Sequence, residues 1–410
     1  MPEVPQPEME YELPMGVLLS APAFQEATEV SGSTRAWVPP SGYYLYNDIS
    51  LYDGSSPESL YRNFSSLITR DIDAFFTSTT EGLPLHARLQ YLPEKNHWNF
   101  TLLKVAPDDV SSGDYYVYGF IPRDVVSGVT ITKLPSSVEL PSPTYEDGAV
   151  LNLKNLRPVG DDVSVIIGAE NGYDNDHDGN EAQTERLNAG DFSFYLKTEK
   201  KSDGSPEDNF LFLLFDHLYS AMVFNLKVDA DYNRLRTIKV KELHLQTGSE
   251  TVPSQKVDVS VTLKKTTDSS NPISSIDFAF TGAADGGSTI YSSGTGDGVT
   301  LTTNYSDSKF LTHVMPKDVN TLVMTWKYDI YDKNAWRDDA GNYILDEAGN
   351  RIYNLIRKDQ TAVNTISLKK VIDAFPGLQR GKRYTINLIV RPTYLYMMSE
   401  PDLKMELDVK

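Results

Sequence analysis

The segment from Asn209 to Leu245 constrains the fold more than any other part of this chain. A long apolar stretch leads into an alternation in which Phe224, Leu226 and Val228 are apolar and the residues between them are polar. A period of two is the pattern of a half-buried β-strand. The alternation resumes after a polar turn and slips by one residue near Lys241, which predicts a β-bulge. We expect this segment to form the first hairpin of a second β-domain.

Other segments carry the same alternation, or are short, apolar and rich in aromatic and β-branched residues. Turn residues separate them at short intervals, which favours β-sandwiches over alternating strands and helices. The segments are Met15–Leu19, Tyr43–Leu51, Ile72–Thr77, Tyr115–Ile121, Val163–Gly168, Val257–Leu263, Leu322–Tyr328 and Tyr384–Val390. The sequence therefore predicts an all-β fold.

Two short helices are expected to connect strands. The first begins after Ser56, which can cap it, and the second runs from Ser367 with Leu368, Val371 and Phe375 facing inward. The polar segment 198–207 has turn chemistry, so we place a domain boundary there. The predicted domains are residues 1–204, with a Pro-rich N-terminal tether, and residues 205–410.

The charge balance and the absence of cysteine exclude several classes of function. The chain has 38 Lys and Arg against 57 Asp and Glu, a net charge of −19. Phosphate binding needs clustered basic side chains, so nucleic acid is not an expected partner. Without cysteine there are no disulfides, thiolate metal sites or Cys nucleophiles. No apolar run reaches the ~18 residues of a membrane span, and the residues after Met1 lack the apolar region of a signal peptide.

An acidic segment fits the calcium-loop template D-x-D-x-D-G followed five residues later by Glu. Calcium takes about six to eight oxygen ligands, which alternating carboxylates on a tight loop can supply. The flanks are predicted strands rather than the helices of an EF-hand, so an acidic surface loop is the alternative. The candidate ligands are Asp174, Asp176, Asp178, Asn180 and Glu185.

Signatures of catalysis are missing from the sequence. The six histidines are scattered without a close ligand pair, and there is no nucleophile elbow or P-loop. We name no catalytic residue and expect a non-enzymatic protein; a glycosidase built on two of the many carboxylates is a third, less favoured interpretation. His217, inside an apolar run, is expected to be a hydrogen-bonded core histidine.

One local repeat stands out in the second half of the chain. The segment 338–344 (DDAGNYI) recurs as 346–352 (DEAGNRI). Gly-Asn after an acidic residue favours tight turns, so we predict a protruding β-hairpin. A contact loop is the alternative, because loops carry recognition. Tyrosine and tryptophan are frequent, and we expect them mainly in cores, although exposed rings could stack on sugars.

The two ends of the chain suggest an exchange of strands. Arg35 lies in a small-residue loop after the Met15–Leu19 strand, where proteolysis would release that strand and uncover an apolar groove. At the other end, apolar residues alternate with charged ones. Such a strand can close its own sheet, or it can pair with the open edge of another subunit. The alternating residues are Leu403, Met405, Leu407 and Val409.

Several short motifs, in this order along the chain, resemble those of fimbrillins, the pilin-like surface proteins of Bacteroides and relatives. Asp73 departs from the family pattern, which usually has Gly there. The motifs are Thr34-Arg35-Ala36, the strand Ile72–Thr77, the strand from Tyr116 to Pro122, Phe215-Asp216-His217, and Gly381 to Thr385.

The resemblance implies two tandem transthyretin-like Greek-key β-sandwich domains with short connecting helices. It also implies export as a lipoprotein, with a lipid anchor on the outer membrane that is absent from this chain. Cleavage by an Arg-specific protease at Arg35 would then precede strand exchange with other pilin subunits. The expected function is a non-enzymatic cell-surface fimbrial subunit or adhesin that contacts a host or bacterial receptor or glycan. The alternative is a monomeric surface glycan-binding lipoprotein that uses Ca2+.

Overall fold

The structure, a computed structural model, describes residues 11–20, 24–27, 43–45, 70–79, 83–92, 97–103, 110–171, 186–198, 202, 209–266, 271–306, 310–372 and 375–390. Strands dominate these residues, so the predicted all-β class is confirmed. The sharper prediction of two transthyretin-like Greek-key sandwiches stays a prediction.

The strands differ in length, and the longest form a hairpin late in the chain. Their bounds are β1 Tyr11–Ser20, β2 Gln25–Glu26, β3 Tyr43–Leu45, β4 Ile72–Thr77, β5 Leu85–Leu92, β6 His97–Leu102, β7 Gly113–Ile121, β8 Gly128–Lys133, β9 Gly148–Leu156, β10 Val159–Gly160, β11 Ser164–Asn171, β12 Arg186–Asn188, β13 Ser193–Leu196, β14 Phe210–His217, β15 Ser220–Val228, β16 Arg236–Thr247, β17 Gln255–Lys264, β18 Ile273–Ala284, β19 Ser288–Ser292, β20 Val299–Thr300, β21 Phe310–Val314, β22 Thr321–Ala335, β23 Tyr353–Ser367 and β24 Lys382–Val390.

Helices in the described residues are short. They are a 3-10 turn at Arg123–Val125 and α-helices at Ala230–Leu235 and Leu368–Val371. No helix of the described part of the chain has the length and apolar character needed to cross a membrane. Within the helix predicted from Ser367, Leu368 is buried as expected, but Val371 is 41% exposed, so its predicted inward orientation is wrong. The helix predicted after Ser56 lies outside the described residues.

The first hydrophobic core lies between two sheets. An eight-stranded sheet has the order β11-β14-β1-β6-β5-β4-β7-β13, and β11 also pairs with β7, so the strands from β14 to β7 and β11 form a closed circuit. A four-stranded sheet of order β18-β17-β9-β8 packs on the same core. Leu151 of β9 and Val259 of β17 are buried there with Phe76 and Phe100 of the larger sheet.

The second core lies between two further sheets. One has the order β10-β21-β15-β24-β2, and the other the order β19-β16-β22-β23, with β20 pairing with β16. Phe224 and Leu226 of β15 meet Val240 and Leu243 of β16 in this core. A separate two-stranded sheet joins β3 and β12.

The segment from Asn209 to Leu245 does not form a hairpin, so that prediction is wrong. β15 and β16 belong to different sheets that face each other across the second core. The polar turn between them holds the helix Ala230–Leu235, whose first N–H groups donate to the capping carboxylate of Asp229. The predicted bulge at Lys241 is confirmed, because the pairing of β16 with β22 shifts register between Val240 and Glu242.

Strands from both halves of the chain share sheets. β14, β17 and β18 follow residue 204, yet they pair with β1, β11 and β9, or with one another, in the first two sheets. The division into residues 1–204 and 205–410 stays a prediction about domains. Within the stretch predicted as a Pro-rich tether, Tyr11 to Pro14 lie in β1 and pair with β6.

Candidate functional site

The candidate site is the position of β1, here called the first-strand slot, between β6 and β14. Residues Tyr11 to Met15 pair antiparallel with Leu102 to Trp98 of β6. Residues Gly16 to Ser20 pair parallel with Phe210 to Leu214 of β14. Removal of β1 would therefore open the closed circuit of strands and leave unpaired backbone on both neighbours, which is the condition for adding a strand.

The floor and walls of the slot are apolar. Val17 and Leu19 of β1 are 5% and 3% exposed, and they point into the first core. Trp98, Phe100 and Leu102 of β6 are buried beside them. Each fully buried Val or Leu side chain contributes about 1.5–3 kcal/mol, so an empty slot would expose a costly apolar surface that another alternating strand could cover.

β14, the parallel wall of the slot, is buried on both faces. Every residue from Leu211 to His217 is buried, including the polar Asp216 and His217 at its end. A continuous apolar run of this kind is typical of a central strand, which explains why the sequence shows no alternation here.

The chain that follows β1 crosses from the first core to the second. The ring of Phe24 stacks on the imidazole of His217, with 3.8 Å between centroids, and lies 5.3 Å from the ring of His313. β2 then pairs parallel with Lys382 and Arg383 at the start of β24. The N-terminal segment is thus held at the slot by β1, at the histidine pair by Phe24, and at the second core by β2.

His217 is a hydrogen-bonded core histidine, as predicted. It is 3% exposed, and its Nδ1 lies 2.6 Å from Oδ2 of Asp162. Burial opposes ionisation of Asp162, but the charge of His217 and its hydrogen bond outweigh burial and lower the pKa of the Asp162 carboxyl below its usual value. Burial lowers the pKa of His313, against the charge of Asp162.

This cluster has the residue types of a catalytic triad without its geometry. The Ser164 hydroxyl lies 3.2 Å from Nδ1 of His217 and donates to Oδ2 of Asp162 at 3.0 Å. In a triad the serine and the carboxylate occupy opposite ring nitrogens, whereas here both contact the same nitrogen. The cluster can therefore hold elements together, but it is not arranged to activate a nucleophile.

An ion pair from the second half of the chain closes the end of β14. Nη1 of Arg380 pairs with the carboxylate of Asp216, whose side chain is fully buried. The same nitrogen donates to the carbonyl of His217 at 3.3 Å. The end of the slot wall is thus bonded to the segment that leads into β24.

The site residues predicted from the sequence lie outside the described residues. These are the processing site Arg35, the calcium ligands Asp174, Asp176, Asp178, Asn180 and Glu185, and the donor strand residues Leu403, Met405, Leu407 and Val409. The calcium-loop segment joins β11 to β12, so its flanks are strands, as predicted. In the described part of the chain, no group of three or more His, Asp or Glu side chains could hold a metal ion.

Phe24 and Asp162 are the residues that sequence inspection missed. Phe24 stands alone in a short segment without periodicity, and Asp162 is 55 residues from His217 in sequence. The segment Met15–Leu19 did identify the slot strand, because a short apolar run is consistent with a buried strand.

No protein-family model matches the chain, and no curated protein is significantly similar to it. Solved structures resemble it at low identity. A presumed cell adhesion protein of Bacteroides fragilis is 10% identical, with a TM-score of 0.35, over 93% of this chain and 94% of that one. The fimbrial anchor protein Mfa2 of Porphyromonas gingivalis is 8% identical, with a TM-score of 0.25, over 92% and 91%.

A fimbrial protein of Bacteroides ovatus is 10% identical, with a TM-score of 0.26, over 92% of this chain and 50% of that one. All of these TM-scores lie below 0.5, so the matches do not assign a function to this chain.

Proposed function

We propose that this protein is a non-enzymatic cell-surface fimbrial subunit, or a fimbria-associated adhesin, that assembles by β-strand exchange. The observation that carries the proposal is the position of β1. It fills a slot between β6 and β14 in an otherwise closed circuit of strands. Once a cut separates this strand from the residues that follow it, the strand can leave the slot without unfolding the strands on either side of it.

Cleavage after Arg35 would separate the slot strand from the rest of the chain. The released piece would contain β1, Phe24 and β2, so all three attachments described above would be freed together. The incoming strand would be the C-terminal segment of another copy. Its alternating apolar residues would bury every second side chain, as Val17 and Leu19 of β1 do. The alternating residues are Leu403, Met405, Leu407 and Val409.

This proposal includes the transthyretin-like arrangement of two domains, export as a lipoprotein and attachment at the outer membrane. The partners are other pilin subunits and a receptor or glycan on a host or bacterial surface. The alternative, a monomeric glycan-binding surface protein, would use the loop around Asp174 to bind Ca2+.

Trypsin cleavage tests the exchange. Arg35→Lys keeps a trypsin site and Arg35→Ala removes it, so the two variants form a matched pair. After digestion, we expect the wild type and Arg35→Lys to form oligomers or filaments in size-exclusion chromatography and electron microscopy. Arg35→Ala should stay monomeric, and so should a cleaved chain that lacks residues 402–410.

A synthetic peptide separates slot opening from polymerisation. Cleaved chain lacking residues 402–410 is mixed with a peptide of residues 399–410, and bound peptide is measured by native mass spectrometry. The proposal predicts that the peptide replaces the N-terminal fragment. A peptide with charges at two of the alternating apolar positions, Met405→Asp and Leu407→Asp, serves as the control. Retention of the N-terminal fragment and no peptide binding would contradict strand exchange and favour the monomeric alternative.

A further inference from the structure

The hairpin of β22 and β23 projects away from the second core. β22 begins in the core, where Leu322, Met324 and Trp326 are buried. From Tyr331 to Thr365, however, no residue is buried. Tyr331 of β22 pairs with Leu355 of β23, so we call residues 331–355 the finger, and residues 336–352 at its end the fingertip.

A ring of three backbone hydrogen bonds organises the fingertip. The N–H of Trp336 donates to the carbonyl of Ile352 at 2.8 Å, that of Ile352 to Ile344 at 3.0 Å, and that of Ile344 to Trp336 at 3.0 Å. Two turns project from this ring, one for each copy of the sequence repeat. The predicted protruding hairpin is therefore confirmed, and it carries two tight turns at its end.

Side chains of the repeat fix both turns. Oδ1 of Asp338 accepts from the N–H of Asn342 at 2.8 Å, and Oδ1 of Asp346 accepts from the N–H of Asn350 at 2.7 Å. Gly341, with a φ of 85°, occupies the left-handed region that favours glycine. These two carboxylates serve the backbone, so the fingertip is preorganised without help from the core.

Tyr343 lies between two guanidinium groups at the fingertip. The Cζ atoms of Arg337 and Arg351 are 4.0 Å and 3.8 Å from the centre of its ring. In the described part of the chain, neither guanidinium has a carboxylate within ion-pair distance. Arg337 donates to the carbonyl of Gly341 at 2.8 Å. Its Nη2 also donates to the hydroxyl of Tyr343 at 2.5 Å, and both arginines are exposed.

Large apolar side chains are exposed around this stack. Trp336 is 50% exposed and Leu345 is 52% exposed. These side chains do not contribute to a hydrophobic core, because no residue of the finger is buried. Large exposed apolar surface is typical of an interaction site, and six large apolar side chains of this one hairpin are exposed. The exposed set is Trp336, Tyr343, Ile344, Leu345, Tyr353 and Leu355.

The charges of the fingertip favour an uncharged ligand at the tyrosine stack. Arg337 and Arg351 would repel a cation from Tyr343, while the four fingertip carboxylates and the net charge of −19 would repel a polyanion. The carboxylates are those of Asp338, Asp339, Asp346 and Glu347. A stable protein interface needs about 20–30 residues on each side, which is more than the end of a finger presents. A ligand whose ring has an apolar C–H face and hydroxyl groups would match both the aromatic side chains and the N–H donors of the arginines.

We propose that the fingertip binds an uncharged saccharide, with the indole of Trp336 covering one sugar ring and the guanidinium of Arg351 donating to its hydroxyls. The residues of this site lie on β22, β23 and the turns between them, and none belongs to the first-strand slot. The uncut, monomeric chain should therefore bind saccharide, and failure of binding would leave strand exchange unaffected.

The test uses the full chain labelled with 15N-tryptophan. Maltohexaose, cellohexaose and mannohexaose are titrated separately, and indole resonances are followed by NMR, with Trp336 assigned through Trp336→Phe. At least one of these saccharides should shift the Trp336 resonance in a saturable way, while the resonances of the buried Trp98 and Trp326 stay in place. Calorimetry on the variants Trp336→Ala and Arg351→Ala should show affinity reduced by about tenfold or more.

Phe280→Ala is the matched control, because Phe280 is 53% exposed on a different sheet. It should bind as the wild type does. Equal thermal midpoints would show that all three variants fold. No shift with any of the three saccharides, or equal affinity in Trp336→Ala, would overturn the proposal. So would tighter binding of the polyanion heparin, or self-association of the chain that Trp336→Ala abolishes, which would indicate a protein contact.

Discussion

The ring of Phe24 lies 3.8 Å from the imidazole of His217, with 24° between the two planes. Phe24 follows the slot strand, and His217 ends the strand that forms its parallel wall. His313, on β21 of the second core, is the other neighbour of the same ring. A single side chain therefore joins the N-terminal segment to both cores, and β1 cannot leave with this segment unless the stack opens.

The first prediction concerns this stack. Phe24→Ala should loosen β1 without removing it, because an aromatic pair contributes about 0.5–1.5 kcal/mol beyond its buried area. Hydrogen exchange of the amides of Val17 and Leu19 should become faster by about tenfold. Phe280→Ala, at an exposed position of β18, should leave these amides unchanged. Equal exchange rates in both variants would mean that Phe24 does not hold the strand.

The second prediction concerns the anchoring of β1 itself. Leu19→Ala should lower the free energy of unfolding by about 2–5 kcal/mol, since Leu19 is 3% exposed and its loss leaves a cavity. Leu83→Ala is the control, because Leu83 is 92% exposed and its change should stay within about 0.5 kcal/mol. Denaturation by urea measures both. A loss of the same small size in the two variants would show that the slot tolerates an empty position.

The third prediction is a pH dependence. Burial lowers the pKa of His313 in the folded chain, so the unfolded chain, with a His pKa near ~6.5, binds more protons below that value. Stability should therefore fall as the pH decreases through about 6.5 towards the lower folded pKa. The charges of Asp162, His217 and Asp161 act on His313. The pKa of Asp162 is itself lowered, so its contribution to stability is lost only under more acidic conditions, below the ordinary carboxyl range.

Substitution isolates the histidine. His313→Gln keeps a hydrogen-bond donor but does not titrate, so the loss of stability between pH 7.5 and about 5.5 should be smaller than in the wild type. Thermal melting across this range measures the difference. His244→Gln, at a half-buried position on β16, is the control. A wild-type slope in His313→Gln would assign the pH dependence to other groups.

The sequence predicted individual strands better than their partners. Ile72–Thr77 was expected and found with the same bounds, and the bulge at Lys241 followed from a one-residue slip in the alternation. An alternation with period two predicts which side chains share a face of a strand, but it does not predict which strand lies alongside. For that reason Ser220–Val228 and Arg236–Thr247 were expected to pair, although they lie in opposite sheets.

Pairs of buried polar residues required the structure, both at the slot and at Asp73 on the opposite side of the circuit. Asp73, which departs from the fimbrillin pattern, is 2% exposed, yet its carboxylate pairs with Nε2 of His86 at 2.6 Å and with Nε of Arg123 at 2.9 Å. These partners are 13 and 50 residues away in sequence. Long-range pairs of this kind leave no local pattern, so the slot strand was predictable and the cluster at its end was not.

The fourth prediction tests the ion pair that closes β14. Arg380→Met should lower the free energy of unfolding by about 3–5 kcal/mol, because it leaves the buried carboxylate of Asp216 without its partner. Arg234→Met is the matched control, since the Arg234–Asp231 pair is 79% and 74% exposed and such pairs contribute about 0–1 kcal/mol. Chemical denaturation compares the two. Similar losses would show that water reaches Asp216.

The fifth prediction concerns close contact between β4 and β7, which together form the side of the circuit opposite β1. Gly119 of β7 pairs with Ala74 of β4. A Cβ added at Gly119 would overlap the carbonyl oxygen of Asp73 and come within 2.9 Å of the Cα of Ala74. Both are backbone atoms, so a rotamer change cannot relieve the overlap and the two strands must separate.

Gly119→Ala should therefore destabilise the chain by about 1–3 kcal/mol or more, the usual cost of overpacking. Gly113→Ala is a control within the same strand, because no atom lies within 4 Å of a Cβ at that position. Thermal and urea denaturation should show a large loss for the first variant and almost none for the second. If Gly119→Ala unfolded like the wild type, β4 and β7 would have to separate easily, and the circuit would be able to open at a place other than the first-strand slot.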